Sequence, residues 1–70
     1  MRKLVIFLIR KRLGVRKYQH FRFTNQKSQD EYYFTDDLLM KISYFDGRHK
    51  RSEVGVNWLL DEECKIELLE

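Results

Sequence analysis

The first apolar segment of the chain fits two different elements. Leu4–Ile9 (LVIFLI) is apolar throughout and rich in β-branched and aromatic residues, which is typical of a short strand buried on both faces. A helix is the alternative, because the cations Arg10–Arg12 would suit its C-terminal dipole and Gly14 would suit the position just after its end. We favour the strand, followed by a turn at Leu13–Val15.

The next segments predict a hairpin. Between Arg16 and Thr24 the two phenylalanines, Phe21 and Phe23, are separated by one polar residue, so a strand would place both rings on one face. Residues 25–30 (NQKSQD) are polar and predict a turn, and Glu31–Thr35 (EYYFT) predicts a third strand. The other face of the strand over 16–24 would carry Arg16, Tyr18, His20 and Arg22.

The main helix is predicted after residue 35. Thr35 or Asp36 would provide its N-cap, with acids in the first turn. One apolar stripe with helical spacing follows: Leu38, Leu39, Ile42 and Phe45. Asp46 and Gly47 predict the end of this helix, and residues 47–53 (GRHKRSE) predict a basic loop.

The last third of the chain predicts two more strands. Apolar residues alternate from Val54 to Trp58 as they would in a strand, although Asn57 would also suit the cap of a short helix through Leu60. Residues 61–63 (DEE) predict a turn, and Cys64–Leu69 alternates as a final strand.

The predicted order, β-β-β-α-β-β, indicates a single α+β domain over residues 1–70. Its antiparallel sheet of about four to five strands would carry one main helix packed on one face. An apolar fraction of 43% is ample for a core. A chain of 70 residues nevertheless buries only about 60% of its unfolded surface. Dimerisation or a bound partner would therefore add stability.

Charge is distributed unevenly along the chain. Residues 1–29 hold nine Lys or Arg and no acid, whereas residues 30–70 hold five cations and all eleven acids, leaving a net charge of +3. Such asymmetry favours contact with polyanions. The alternative is that the two halves neutralise each other in the folded protein.

Cysteine content and the N-terminal sequence predict a cytoplasmic protein. Cys64 is the only cysteine, so no intrachain disulfide forms, which fits a reducing compartment. Leu4–Ile9 has only six apolar residues and is followed by cations. It is too short for a signal peptide or a membrane span, so we expect no membrane partner.

Enzyme chemistry has little support in the sequence, and we expect no catalytic activity, metal site or cofactor. No nucleophile elbow or glycine-rich phosphate loop is present. His20, His49 and Cys64 lie too far apart along the chain for a zinc motif. The acids Asp36 and Asp37 fit helix capping, and Cys64 fits a buried position between apolar neighbours.

Nucleic-acid binding is the preferred function. The basic and aromatic face of the predicted second strand would follow a phosphate backbone, with Tyr18 as a stacking ring and Lys17 at the flank. The other candidate cations lie before it and in the basic loop. The full predicted surface is Arg10, Arg12, Arg16, Tyr18, His20, Arg22, Arg48, Lys50 and Arg51. A plain solvated sheet face is the alternative.

Protein binding is the second function class. The chain would then be an interaction module or an inhibitor of a nucleic-acid enzyme, with a homodimer as a further alternative and an acidic protein as a partner for its basic face. Trp58 and the pair Tyr32–Tyr33 are candidate anchors, because Trp and Tyr are enriched in binding hot spots. Core packing is the alternative for Trp58.

Overall fold

The computed structural model describes residues 2–25, 30–61 and 63–69. The helices are α1 (Arg2–Leu13) and α2 (Trp58–Asp61). The strands are β1 (Phe21–Phe23), β2 (Glu31–Phe34), β3 (Leu39–Phe45), β4 (Arg48–Val54) and β5 (Ile66–Leu68). They form one antiparallel sheet in the order β4-β3-β2-β1-β5. The predicted α+β class is confirmed, but the chain order is α-β-β-β-β-α-β.

Leu4–Ile9 is helical, so the favoured strand is wrong and the alternative is correct. A helix buries Ile6 and Ile9 on one face, which the apolar composition alone does not distinguish from a strand. Gly14 then ends the helix in the left-handed region (φ 72°), and its N–H donates to the Lys11 carbonyl over 3.3 Å. Glycine adopts this conformation without a steric penalty.

The predicted strand over 16–24 is wrong in its first half. Only Phe21–Phe23 is extended, and the chain turns over residues 17 and 18, where Tyr18 takes a left-handed φ of 65°. The Tyr18 N–H donates to the Phe34 carbonyl over 2.7 Å, which fixes this turn beside β2. The predicted pairing of β1 with β2 is confirmed. Residues 26–29 of the predicted turn lie outside the described residues.

The predicted main helix after residue 35 is instead β3. Thr35 caps a turn between strands: its Oγ1 accepts the Leu38 N–H over 3.0 Å, and its own N–H donates to the Leu38 carbonyl over 2.9 Å. Leu39 and Ile42 are both buried, although an odd separation places them on opposite faces of the strand. Because apolar residues are buried on both faces of β3, their positions in the sequence imitate the spacing of a helix.

The predicted basic loop is also wrong, because residues 48–54 form β4. This strand pairs with β3 from Phe45↔Arg48 to Leu39↔Val54. Asp46 and Gly47 connect the two strands with φ values of 49° and 72°. These are the backbone angles of a two-residue hairpin turn that matches the twist of the strands.

Near the C-terminus the short-helix alternative is correct. Trp58–Asp61 forms α2, so the predicted strand from Val54 to Trp58 is wrong beyond Val54. Ile66–Leu68 lies within the predicted final strand and pairs with β1, which confirms it.

The core lies between α1 and one face of the sheet. Its aromatic centre is Phe21, whose ring centroid lies 5.4 Å from that of Phe23, 5.9 Å from Tyr32 and 5.5 Å from Phe34. Burial raises the pKa of the Tyr32 phenol, and the charge of Asp30 raises it further. The remaining buried members of this core are Ile6, Ile9, Val15, Leu39 and Leu59.

Candidate nucleic-acid interface

The predicted row of Arg16, Tyr18, His20 and Arg22 does not form on one strand. Arg16 and Tyr18 lie before β1, in the chain that follows α1. Arg22 lies on β1, and its partners across the sheet are Glu31 on β2 and Glu67 on β5. Directly opposite side chains are about 5 Å apart at their Cβ atoms. The sheet face away from α1 therefore alternates in charge instead of presenting a basic row.

His20 is engaged by its neighbours on this face. Its Nδ1 is hydrogen-bonded to Glu31 Oε2, and its ring stacks on Tyr33 with centroids 5.0 Å apart and an interplanar angle of 11°. Glu31 thus lies beside both His20 and Arg22. This part of the predicted surface is internally neutralised.

The C-terminal end of α1 retains a basic cluster. Arg10 Cζ and Lys11 Nζ lie 5.9 and 5.4 Å from the centre of the Phe7 ring. A groove of about 260 Å³ opens there, lined by Phe7, Arg10, Lys11, Gly14, Val15 and Arg16. Arg12 is exposed in the same last turn. Of the predicted surface residues, Arg10 and Arg12 therefore lie in the last turn of α1, and Arg16 follows the helix instead of starting a strand.

One acid partly offsets this cluster. Lys17 Nζ donates to Asp36 Oδ1 over 2.7 Å. That hydrogen bond and the Lys17 charge hold the pKa of the Asp36 carboxyl below its usual range, with smaller effects from Lys3 and Arg10. Lys17 therefore contributes less free positive charge than its sequence position indicated.

The hairpin end of β3 and β4 forms a second basic surface, which we call the ribbon (Ser43–Arg51). The described part of β2 pairs with β3 only as far as Ile42, whereas β3 and β4 remain paired to their turn. Tyr44 is 62% exposed and Phe45 53% exposed. From Tyr44 to Arg51 every residue is exposed.

Each face of the ribbon carries one Tyr or Phe ring and basic side chains. Alternation places Phe45, Arg48 and Lys50 on one face. Tyr44, His49 and Arg51 lie on the other face, where the rings of Tyr44 and His49 are 6.0 Å apart. Asp46, in the turn, is the only acid in the sequence of the ribbon.

The candidate residues taken from the sequence include the cations of the ribbon but not Tyr44 and Phe45. The apparent helical spacing of the stripe from Leu38 to Phe45 assigned Phe45 to a helix. The signal that would have identified them is the Asp-Gly pair at 46–47 between two polar–apolar segments, which is a strong hairpin indicator.

The candidate protein-binding anchors are largely part of the fold. Trp58 Nε1 donates to the Gly55 carbonyl over 2.6 Å, and its ring lies 5.3 Å from that of Phe23. Tyr32 is buried in the core. Cys64 is half-buried and packs against the same core.

Comparison with known proteins gives no relative: no family model, curated protein or solved structure matches this chain. Neither described helix combines the length and apolar character needed to cross a membrane. The functional interpretation therefore depends on the two basic surfaces themselves.

Proposed function

We propose that this protein binds nucleic acid non-specifically, with a preference for single strands, and that the ribbon is the principal contact. The observation that supports this most directly is the exposure of Tyr44 and Phe45 beside three exposed cations, Arg48, Lys50 and Arg51. Proteins that follow single strands combine these two features, because cations neutralise phosphates and rings stack on bases.

The geometry of a strand suits this task. Arg48 and Lys50 point to the same side and are about 6.6–7 Å apart along β4, comparable with the spacing of successive phosphates. Phe45 is the cross-strand partner of Arg48, so a stacked base and its phosphate would lie side by side. Stacking of one base is worth about 1–3 kcal/mol.

The basic cluster at the end of α1 supports the same proposal at longer range. Arg10, Arg12 and Arg16 add positive potential on the part of the chain that contains no acid. Clustered charge of one sign raises the rate of encounter with a polyanion. These residues assist association, whereas the ribbon provides the contacts.

The test is a salt titration with a fluorescent single-stranded oligonucleotide, followed by anisotropy. The logarithm of affinity should fall linearly with the logarithm of salt concentration, by about 0.7 per neutralised phosphate. Replacing Arg48 and Lys50 together by alanine should flatten that slope by about 1.4. Lys65→Ala is the matched control, because Lys65 is an exposed cation beside β5 at the other edge of the sheet.

Ring variants separate stacking from charge. Tyr44→Ala and Phe45→Ala should each weaken binding about 5- to 150-fold while the salt slope stays the same. An unchanged slope in the Arg48/Lys50 variant, or an equal loss in Lys65→Ala, would remove the ribbon as the site. Absence of any oligonucleotide binding would favour the protein-interaction module instead.

A further inference from the structure

The outward side of α1 carries an apolar patch that the fold does not use. Leu4, Phe7 and Leu8 are 57%, 44% and 55% exposed, whereas Ile6 and Ile9 of the same helix are buried. Residues three and four positions apart in a helix lie on one face. These three side chains therefore form one contiguous surface, which we call the outer patch (Leu4, Phe7, Leu8).

Cations are the only charged residues of the helix that carries the outer patch. They are Arg2, Lys3, Arg10, Lys11 and Arg12. Two of them lie directly against the patch, since the Arg10 and Lys11 side chains contact the Phe7 ring. Two copies of the protein facing each other through this patch would bring like charges together. The positive charge of α1 therefore favours an anionic partner, and the apolar outer patch requires that this partner also has an apolar interior.

We propose, in place of the expectation of no membrane partner, that the outer patch docks on the surface of an anionic phospholipid bilayer, with α1 lying in the plane of the interface. Leu4, Phe7 and Leu8 would enter the boundary between headgroups and acyl chains, and the flanking cations would contact lipid phosphates. The helix has twelve residues, about 18 Å, so it lies on the bilayer and does not cross it.

The groove at the end of α1 adds a specific contact to this proposal. Arg10, Lys11 and Arg16 surround an apolar floor that includes Phe7 and Val15. A lipid phosphate seated in the groove would lie beside these three cationic side chains, while its glycerol and acyl carbons continue onto the outer patch.

Sedimentation with lipid vesicles tests the proposal. The protein should pellet with vesicles of equal phosphatidylglycerol and phosphatidylcholine, and much less with phosphatidylcholine alone. Leu8→Gln should weaken binding about tenfold, because it removes one inserted side chain. Leu60→Gln is the matched control: Leu60 is 50% exposed but lies on α2, and this variant should bind within about twofold of the unchanged protein.

The salt concentration of the assay distinguishes insertion of the outer patch into the bilayer from electrostatic attraction alone. At about 0.5 M salt, exposed charges are largely screened, so the binding that remains should depend on Leu8. The Arg48/Lys50 alanine variant should keep this Leu8-dependent fraction, which distinguishes the outer patch from the ribbon. Equal binding by Leu8→Gln and the unchanged protein would overturn the proposal. So would a dimer in solution that Leu8→Gln dissociates, because a second copy would then occupy the patch.

Discussion

The aromatic centre of the core gives the sharpest test of how this small fold is stabilised. Phe21→Leu keeps an apolar side chain but removes a ring that is fully buried and lies within 6 Å of three other rings. Leucine remains compatible with a strand. The variant should therefore fold, with its lower stability reporting packing alone.

The expected loss follows from those contacts. Each favourable ring pair contributes about 0.5–1.5 kcal/mol beyond its buried area, and the smaller side chain leaves some unfilled volume. Because the pair contributions are not additive, we expect a total near 2 kcal/mol. A 70-residue domain has about 3.5–10 kcal/mol in all, so this is a large share. The melting temperature should fall by about 8–16 °C.

Urea denaturation followed by circular dichroism measures the change. Phe45→Leu is the matched control, since it makes the same replacement at a ring that is exposed on the ribbon, and it should cost less than about 0.5 kcal/mol. Equal losses at Phe21 and Phe45, or a loss at Phe21 below about 0.5 kcal/mol, would refute the aromatic core as the main source of stability.

Two further predictions concern the loops. Lys17→Ala should raise the pKa of Asp36 toward its ordinary value, measured by NMR titration of the carboxyl, because the hydrogen bond and charge that lower it are lost; an unchanged pKa would contradict that pairing. In the unchanged protein the lowered pKa of Asp36 stabilises the fold above about pH 4. This contribution is lost as the pH falls through the pKa of Asp36 in the folded state. Gly47→Ala should cost about 1 kcal/mol in thermal unfolding because of its left-handed φ, although space for a Cβ is open. Gly55→Ala also meets no atom within 4 Å and needs no such φ, so it should cost clearly less.

The fold class could be predicted from the sequence because composition and turn residues constrain it. The hairpin of β1 with β2 was predicted correctly, since alternation survives where only one face is buried. The final strand β5 was predicted from the alternation of residues in the sequence alone. The element at Leu4–Ile9 could not be decided, because an apolar run of six residues satisfies a helix and a strand equally. Its end signals, the cations and Gly14, were the better guide.

The segment after residue 35 was predicted as a helix but forms β3, and this error has a different cause. Leu39 faces the core and Ile42 faces the other side, so burial did not follow a period of two. Thr35 then resembled a helix cap while serving a turn. The edge strand β4 is exposed along most of its length, so it shows no apolar alternation at all. The candidate surface taken from the sequence includes Arg48, Lys50 and Arg51 of the ribbon but not Tyr44 and Phe45, because their segment was predicted to be helical.

The pairing of β1 with β5 has a consequence for synthesis on the ribosome. Phe21–Phe23 is made early, but one of its two neighbours, Ile66–Leu68, emerges after every other strand. Until then the backbone N–H and C=O groups on that side of β1 lack their hydrogen-bond partners on β5, and the growing polypeptide cannot complete its sheet. Folding should therefore finish only after translation has passed residue 68, as expected for contacts between distant parts of a chain.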